Sequence, residues 1–202
     1  MPITLNGSGT VSGISAGGLP DGIIQSADLA SGSVTSSKLA SGAGGKVLQV
    51  VQKLKTDTTS LVNTTTFTDI SGLSQAITIS ASSKVRIGFN CCWSTDGGYS
   101  AMFRLVRIDA DGSTVYPYLG DTNGSRTRSS FGGFATSASF DIMHSQLDFL
   151  DTPSGAGTHT YKIQWQTGYT SNTVWLGRDK QGTNGATRAA TPSSLILTEI
   201  GA

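Results

Sequence analysis

Charge is scarce in this chain. Asp, Glu, Lys and Arg make up 13% of its 202 residues, about half the usual share of ~25%. Fourteen Lys and Arg face 13 Asp and Glu for a formal net charge of +1. No dense Lys/Arg run interleaves with aromatics, so the footprint that a phosphate backbone needs is missing and nucleic acid is not expected as a partner. No segment approaches the ~20 apolar residues of a membrane helix. Met1-Pro2-Ile3-Thr4-Leu5-Asn6 has neither the basic start nor the apolar run of an export signal. A protein made and kept without export or membrane insertion is expected. Cysteine is limited to Cys91 and Cys92. Neighbours on an extended strand point to opposite faces, which rules against a mutual disulfide. Cys91 is expected to pack as a small hydrophobe. The Asn-x-Ser/Thr matches at Asn6, Asn63 and Asn123 mean nothing without a secretory route.

Catalytic patterns are equally sparse. The sequence contains no Gly-x-Ser-x-Gly elbow, no His-Glu-x-x-His, no phosphate-cradling Gly-x-x-x-x-Gly-Lys-Ser/Thr and no cysteine pair at zinc spacing. The two histidines, His144 and His159, have Asp141, Asp148 and Asp151 nearby in the chain. Those are the raw materials of an activated nucleophile. Asp141, Asp148, Asp151 or Glu199 would be the source of the two carboxylates of glycoside cleavage. Histidines hydrogen-bonded among polar strands and carboxylates in turns are the plainer reading. Asp109-Ala110-Asp111-Gly112 starts like a calcium loop but lacks the later oxygen ligands and the terminal Glu. It reads as a hairpin turn. No catalytic residue, cofactor or metal is expected.

What the chain does have is Gly, Ser, Thr and a repeat. Ile24-Gln25-Ser26-Ala27-Asp28-Leu29-Ala30-Ser31-Gly32 is followed by Val34-Thr35-Ser36-Ser37-Lys38-Leu39-Ala40-Ser41-Gly42. Each copy carries a β-branched residue and a Leu five positions on, with Ser before the apolar turn and Gly after it, the punctuation of a short capped helical turn. One copy is too small to bury anything alone, so Ile24, Leu29, Val34 and Leu39 are expected as docking anchors on a partner surface, which either the same thread of other subunits around a symmetry axis or a larger structure under the thread supplies. The thread from Met1 to Gly18, the turn Gly18-Leu19-Pro20-Asp21-Gly22 and the Gly-rich Ser41 to Gly45 complete an extended N-terminal arm over residues 1–45.

From Lys46 the pattern becomes alternation. Strands are expected around Leu48 to Leu54, at Ile77 and Ile79, from Val85 to Trp93 and from Ala101 to Val106, the last two forming a central hairpin through Asp96-Gly97-Gly98. Thr56 to Phe67 reads as strand or loop. Further strands are expected at Thr114 to Leu119, Ala138 to Met143, Gln146 to Leu150, Tyr161 to Gln166, Val174 to Leu176 and Leu195 to Ile200, with Asp121 to Gly133 as a polar loop. The terminal strand is apolar on both faces, which suits a central position or a subunit interface. The fold class is all-β: an antiparallel, jelly-roll-like β-sandwich over residues 46–202, preceded by the arm.

Tyr99, Tyr116, Tyr118 and Trp175 are the candidate rings for stacking a sugar, with Arg126 and Arg128 for acidic groups. The plainer reading places these rings in the core or at a subunit contact.

The run GLPDGIIQSADLASGSVTSSKLASGAGGKVLQVVQ from Gly18 resembles the N-terminal connector of tailed-phage tail fibres and other virion surface proteins. TTTFTDISGLSQAITISASSKVRI, DTPSGAGTHTYKIQW and SSLILTEIGA are similar to the β-domain that follows it, especially in phages of cyanobacteria and other aquatic bacteria. The resemblance implies a homotrimer, made in the host bacterial cytoplasm and placed on the virion surface. Its threads would associate near a threefold axis and its β-domain would face outward. It also implies partners: tail, baseplate or major capsid proteins, and a host-surface glycan for a receptor binder. Two placements follow, a short tail fibre or receptor-binding protein, and a capsid decoration (cement) protein clamping the shell with its arm. A sugar-degrading tailspike is a third class, which release of reducing ends would identify.

Overall fold

The computed structural model describes residues 4–5, 11–12, 24–39, 46–135 and 141–202. The chain divides into two units, Met1–Gly45 and Lys46–Ala202. In the first, β1 (Thr4–Leu5) pairs antiparallel with β2 (Val11–Ser12). Each copy of the repeat makes one 3-10 turn, Ser26–Asp28 and Ser36–Lys38. Both close alike: the Asp28 N–H donates to the Gln25 carbonyl at 3.0 Å and the Lys38 N–H to the Thr35 carbonyl at 2.9 Å. The first cap differs from the serine cap that the sequence suggests. The Asp28 carboxylate reaches back to accept the Gln25 backbone N–H at 2.9 Å. Gly32 follows that turn at φ +75°, where glycine alone is unstrained. The expected turn at Gly18 to Gly22 and the linker from Ser41 to Gly45 lie outside the described residues.

The second unit is built from β3 (Val47–Lys55), β4 (Thr59–Val62), β5 (Thr68–Ile79), β6 (Lys84–Thr95), β7 (Ser100–Ile108), β8 (Thr114–Val115), β9 (Phe131–Phe134), β10 (Met143–Asp151), β11 (Gly157–Thr167), β12 (Thr173–Leu176) and β13 (Ser193–Ile200). Every pairing is antiparallel. One sheet runs β3-β13-β6 with β10 on the far side of β6, and the other runs β5-β11-β7-β9. Among these main strands the first in the chain pairs with the last, the second with the next to last. That is the order of a jelly roll, in keeping with the all-β, jelly-roll-like sandwich expected over residues 46–202. β4 and β12 extend the first sheet beside the end of β6, and β8 adds a short ladder to β7.

The sandwich holds because alternation supplies each sheet with one apolar face. Val85, Ile87, Phe89, Cys91 and Trp93 of β6 and Ala101, Phe103 and Leu105 of β7 are all buried, with Tyr161, Ile163 and Trp165 of β11 and Leu195 and Leu197 of β13. Phe103 lies 5.6 Å from Trp93 and stacks on Phe131 at 4.9 Å with planes 8° apart. Desolvation, reinforced by neighbouring Cys92, pushes the Cys91 thiol far above its ordinary range. Cys92 lies on the opposite face, half-buried, and both thiols are free.

The structure corrects several local expectations. β6 and β7 do not form a hairpin: β6 pairs with β10, β13 and β12, and β7 with β11, β8 and β9. The chain crosses from one sheet to the other at Asp96 to Tyr99, with Gly98 at φ +77°. Their apolar faces meet across the core instead of lying side by side. The strand at Ile77 and Ile79 begins much earlier, at Thr68. It carries an irregularity in which two steps along β11, Lys162 to Gln164, span Asp69 to Ser74 on β5. Gly72 at φ +85° accommodates it. The Thr114 strand ends at Val115, Phe131–Phe134 is a strand inside the expected loop, and β10 is continuous from Met143 to Asp151. Residues 138–140 of the expected strand lie outside the described residues. β13 is central, between β3 and β6.

Candidate functional site

Three strands end in polar residues on the faces that are otherwise apolar. On β7 the inward series Ala101, Phe103, Leu105 continues into Arg107 and then Asp109. On β11 Trp165, Ile163 and Tyr161 lead to His159, and on β10 Leu147 and Phe149 lead to Asp151. The topology brings these ends together. The Arg107 guanidinium donates to both Asp109 oxygens, at 2.6 and 3.1 Å, and to Asp151 Oδ2 at 2.6 Å. The Tyr161 hydroxyl donates to the same Asp151 oxygen at 2.9 Å, and His159 Nδ1 lies 2.8 Å from Asp109 Oδ1. Arg107 and Asp151 thus form an ionic link between the two sheets. All five residues are buried, His159 completely.

Burial alone would raise the Asp109 pKa, but hydrogen bonds from Arg107 and His159 outweigh it and hold the carboxyl below the usual range. Desolvation opposes the charge on Arg107, and its two carboxylates outweigh that and raise its pKa. Desolvation, then the negative Asp151, pushes the Tyr161 phenol well above its ordinary value. The cluster contains an Asp-His pair of the kind that activates nucleophiles, yet it is closed to solvent. Its chemistry is cohesion of one end of the sandwich. Sequence reasoning set His159 beside Asp151 and missed its true partner, Asp109. The signal was available in the charged residues that continue apolar i, i+2 series.

The outer face of the β3-β13-β6-β10 sheet presents the opposite anomaly. Leu48, Val50 and Leu54 alternate along β3 with side chains more than half exposed, and Leu150 on β10 is 47% exposed. Ile196 and Ile200 of β13, both half-buried, lie on the same face. Arg86 and Thr198 stand between Leu150 and the β3 row, so the exposed apolar side chains on this face concentrate along β3 and its neighbour β13. β3 is also an edge strand on one side.

The other sequence-selected residues are scattered. Ile24, Leu29, Val34 and Leu39 flank the two 3-10 turns and are 55, 46, 48 and 39% exposed. Tyr99 packs against Tyr169 at 5.2 Å in the loop entering β7. The Arg104 guanidinium lies 4.4 Å from the Tyr116 ring and 4.2 Å from the Phe67 ring. Tyr118 packs on Phe149 at 4.8 Å, and its carbonyl accepts the Ser130 hydroxyl. Arg128 is committed to the Gly120 carbonyl at 2.7 Å, while Arg126 is exposed on the same loop. Trp175 belongs to β12 in the first sheet, half-buried, with the Arg178 guanidinium 5.7 Å from its ring. His144 is exposed. Among the described residues no three His, Cys, Asp or Glu side chains gather to hold a metal ion, and no helix is long and apolar enough to cross a membrane.

No protein-family model and no curated protein matches the sequence. Among solved structures, the chain is similar to a structure of infectious bursal disease virus, Gx strain, at 10% identity and a TM-score of 0.29. That match covers 78% of this chain and 38% of the other. A score that low says nothing about what this chain does.

Proposed function

We propose that this chain is a non-enzymatic structural protein of a phage virion surface, a homotrimer that docks through residues 1–45 and displays its β-domain outward as a short tail fibre or receptor-binding protein. The observation that carries this reading is the apolar surface a single copy leaves open: Ile24, Leu29, Val34 and Leu39 on the repeat and Leu48, Val50, Leu54 and Leu150 on one sheet face. Ordering a polar thread costs about 1–2 kcal/mol per residue. Two isolated 3-10 turns with exposed anchors do not offset that cost until partner surfaces cover them. The resemblance of the connector to virion surface proteins supplies the kind of assembly. β3 follows the arm directly in the chain, so copies joined through their arms would have their exposed β3 faces available for mutual burial.

The test is a chain beginning at Gly45, compared with the full chain by light scattering and by incorporation into particles. The shortened chain keeps the complete sandwich and is expected to fold yet be missing from virions. Finding it on particles at normal copy number, or finding the full chain monomeric at high concentration, overturns the reading. Copy number also separates the alternative: hundreds per particle means a capsid decoration protein, and a few to some tens means a tail protein.

A further inference from the structure

We propose that the pocket under the loop following β12 binds the carboxylate of an acidic sugar, with Arg178 as its principal contact. The inference deepens the receptor-binding reading above and rests on it for the biological source of the sugar.

The loop is tied at both ends. The Gly177 N–H donates to the Cys92 carbonyl at 2.8 Å, and the Thr191 N–H donates to the Gly177 carbonyl at 2.9 Å. Inside the loop, buried Asp179 accepts the Gly182 N–H at 2.9 Å and Arg188 Nη1 at 3.0 Å. These bonds shape a cavity of about 210 Å³, lined by Arg178, Arg188 and Asp179 with Thr58, Thr183 and Asn184. Its size is below the ~300 Å³ at which drug-sized ligand pockets begin, so it suits a single sugar unit.

The charges inside are unequal. Arg188 answers Asp179, and Lys180 answers Asp96 at 3.2 Å. Among the described residues the Arg178 guanidinium makes no hydrogen bond or ion pair, only the contact with the Trp175 ring at 5.7 Å. It occupies the space where Gly182 lacks a side chain: a Cβ there would stand 1.5 Å from Arg178 Nη1. A half-buried guanidinium with uncommitted donors is matched by a planar carboxylate, which it can grip with two parallel hydrogen bonds. The hydroxyl and amide side chains of Thr58, Thr183 and Asn184 match the ring hydroxyls of a sugar, and Ala189 and Ala190 beside them match its apolar ring face. Arg126 and Arg128, which the sequence favours for this task, lack such a setting. Arg128 is spent on a carbonyl and Arg126 stands in solvent.

The test titrates the full chain with glucuronic acid, glucose and inorganic phosphate, following backbone amides by NMR. Glucuronic acid is expected to shift the Gly182 and Gly185 amides and to bind about tenfold or more tighter than glucose. Arg178→Gln, which breaks no hydrogen bond, is expected to keep the fold and lose that advantage, while Arg126→Gln keeps it. Equal binding of glucose, no binding of any sugar, or an unchanged Arg178→Gln overturns the proposal. Phosphate binding as tightly as glucuronic acid reduces the pocket to a general oxyanion site and overturns the sugar assignment. Competition between soluble protein and phage for host cells tests the receptor reading separately. If wild type and Arg178→Gln compete equally, the receptor reading stands and this pocket is rejected. If neither competes while glucuronic acid still binds, the pocket stands and the receptor reading falls.

Discussion

Replacing Arg107 by Met removes a charge while keeping most of the side chain's length. The side chains of Arg107, Asp109 and Asp151 are only 7, 6 and 7% exposed. In Arg107→Met both carboxylates keep their burial and lose the cation between them. Breaking one partner of such a buried pair costs about 3–5 kcal/mol, a large part of the ~5–15 kcal/mol that holds a domain folded. At about 2–4 °C per kcal/mol for a domain of this size, the midpoint should fall by about 6–20 °C. Arg86→Met is the control. Arg86 grips Asp148 just as closely, through bonds of 2.9 and 2.6 Å, but with side chains 60 and 59% exposed. Water already solvates that pair, and its loss should leave the midpoint close to that of the wild type. Trp93 and Trp165, both in the core, report unfolding by fluorescence in urea or on heating, at one fixed protein concentration because assembly shifts the midpoint. Adding Asp109→Asn and Asp151→Asn to Arg107→Met should recover part of the loss, since the stranded charges cause it. If Arg107→Met loses no more than Arg86→Met, or if neutralising the carboxylates brings no recovery, the cluster is not holding the sheets together as described.

Acid should unfold the protein through Asp109 of that cluster and through Glu199. Desolvation would raise the pKa of Asp109 and of Glu199, but hydrogen bonds from Arg107 and His159, and from Gln49 and Ser80, outweigh it and depress both. A depressed folded pKa contributes stability that is present above the unfolded value of about 4 and is lost as pH falls through the folded one. Urea midpoints should therefore drop below about pH 4, less steeply in Asp109→Asn. In Gly132→Ala the new Cβ would sit 2.5 Å from the Ala101 carbonyl oxygen, a backbone atom that cannot swing away. β9 should detach from β7, with loss of hydrogen-exchange protection at Phe131 to Phe134 and about 1–3 kcal/mol of stability. Val50→Lys together with Leu54→Lys charges the exposed β3 face. Light scattering should show a lower oligomeric mass with the monomer fold unchanged, and an unchanged mass would remove that face from the subunit contact.

Much of the sandwich is legible in the sequence because its strands alternate cleanly. Val85 to Trp93, Tyr161 to Trp165 and Leu195 to Ile200 show the inward positions that the core uses. Phe131 was hidden because the strand around it is short and contains Gly132 and Gly133, which read as loop. The cluster around Arg107 was hidden for another reason. Its members come from the ends of β7, β10 and β11, and Asp109 and His159 are fifty residues apart. Arg178 looks like one more loop arginine until Gly182, Trp175 and the Asp179–Arg188 pair are seen around it.

Residue order alone sets the period of two, and with it which side chains turn inward, and the ten-residue spacing of the two 3-10 turns. These are local properties, set by neighbouring residues and their φ and ψ preferences. Only the tertiary structure decided which sheet each strand joins. Alternation reads the same whether β6 and β7 lie side by side or face each other, and the choice depends on partners as distant as β13 for β6 and β11 for β7. The same long-range pairing decided which charges meet in the buried cluster.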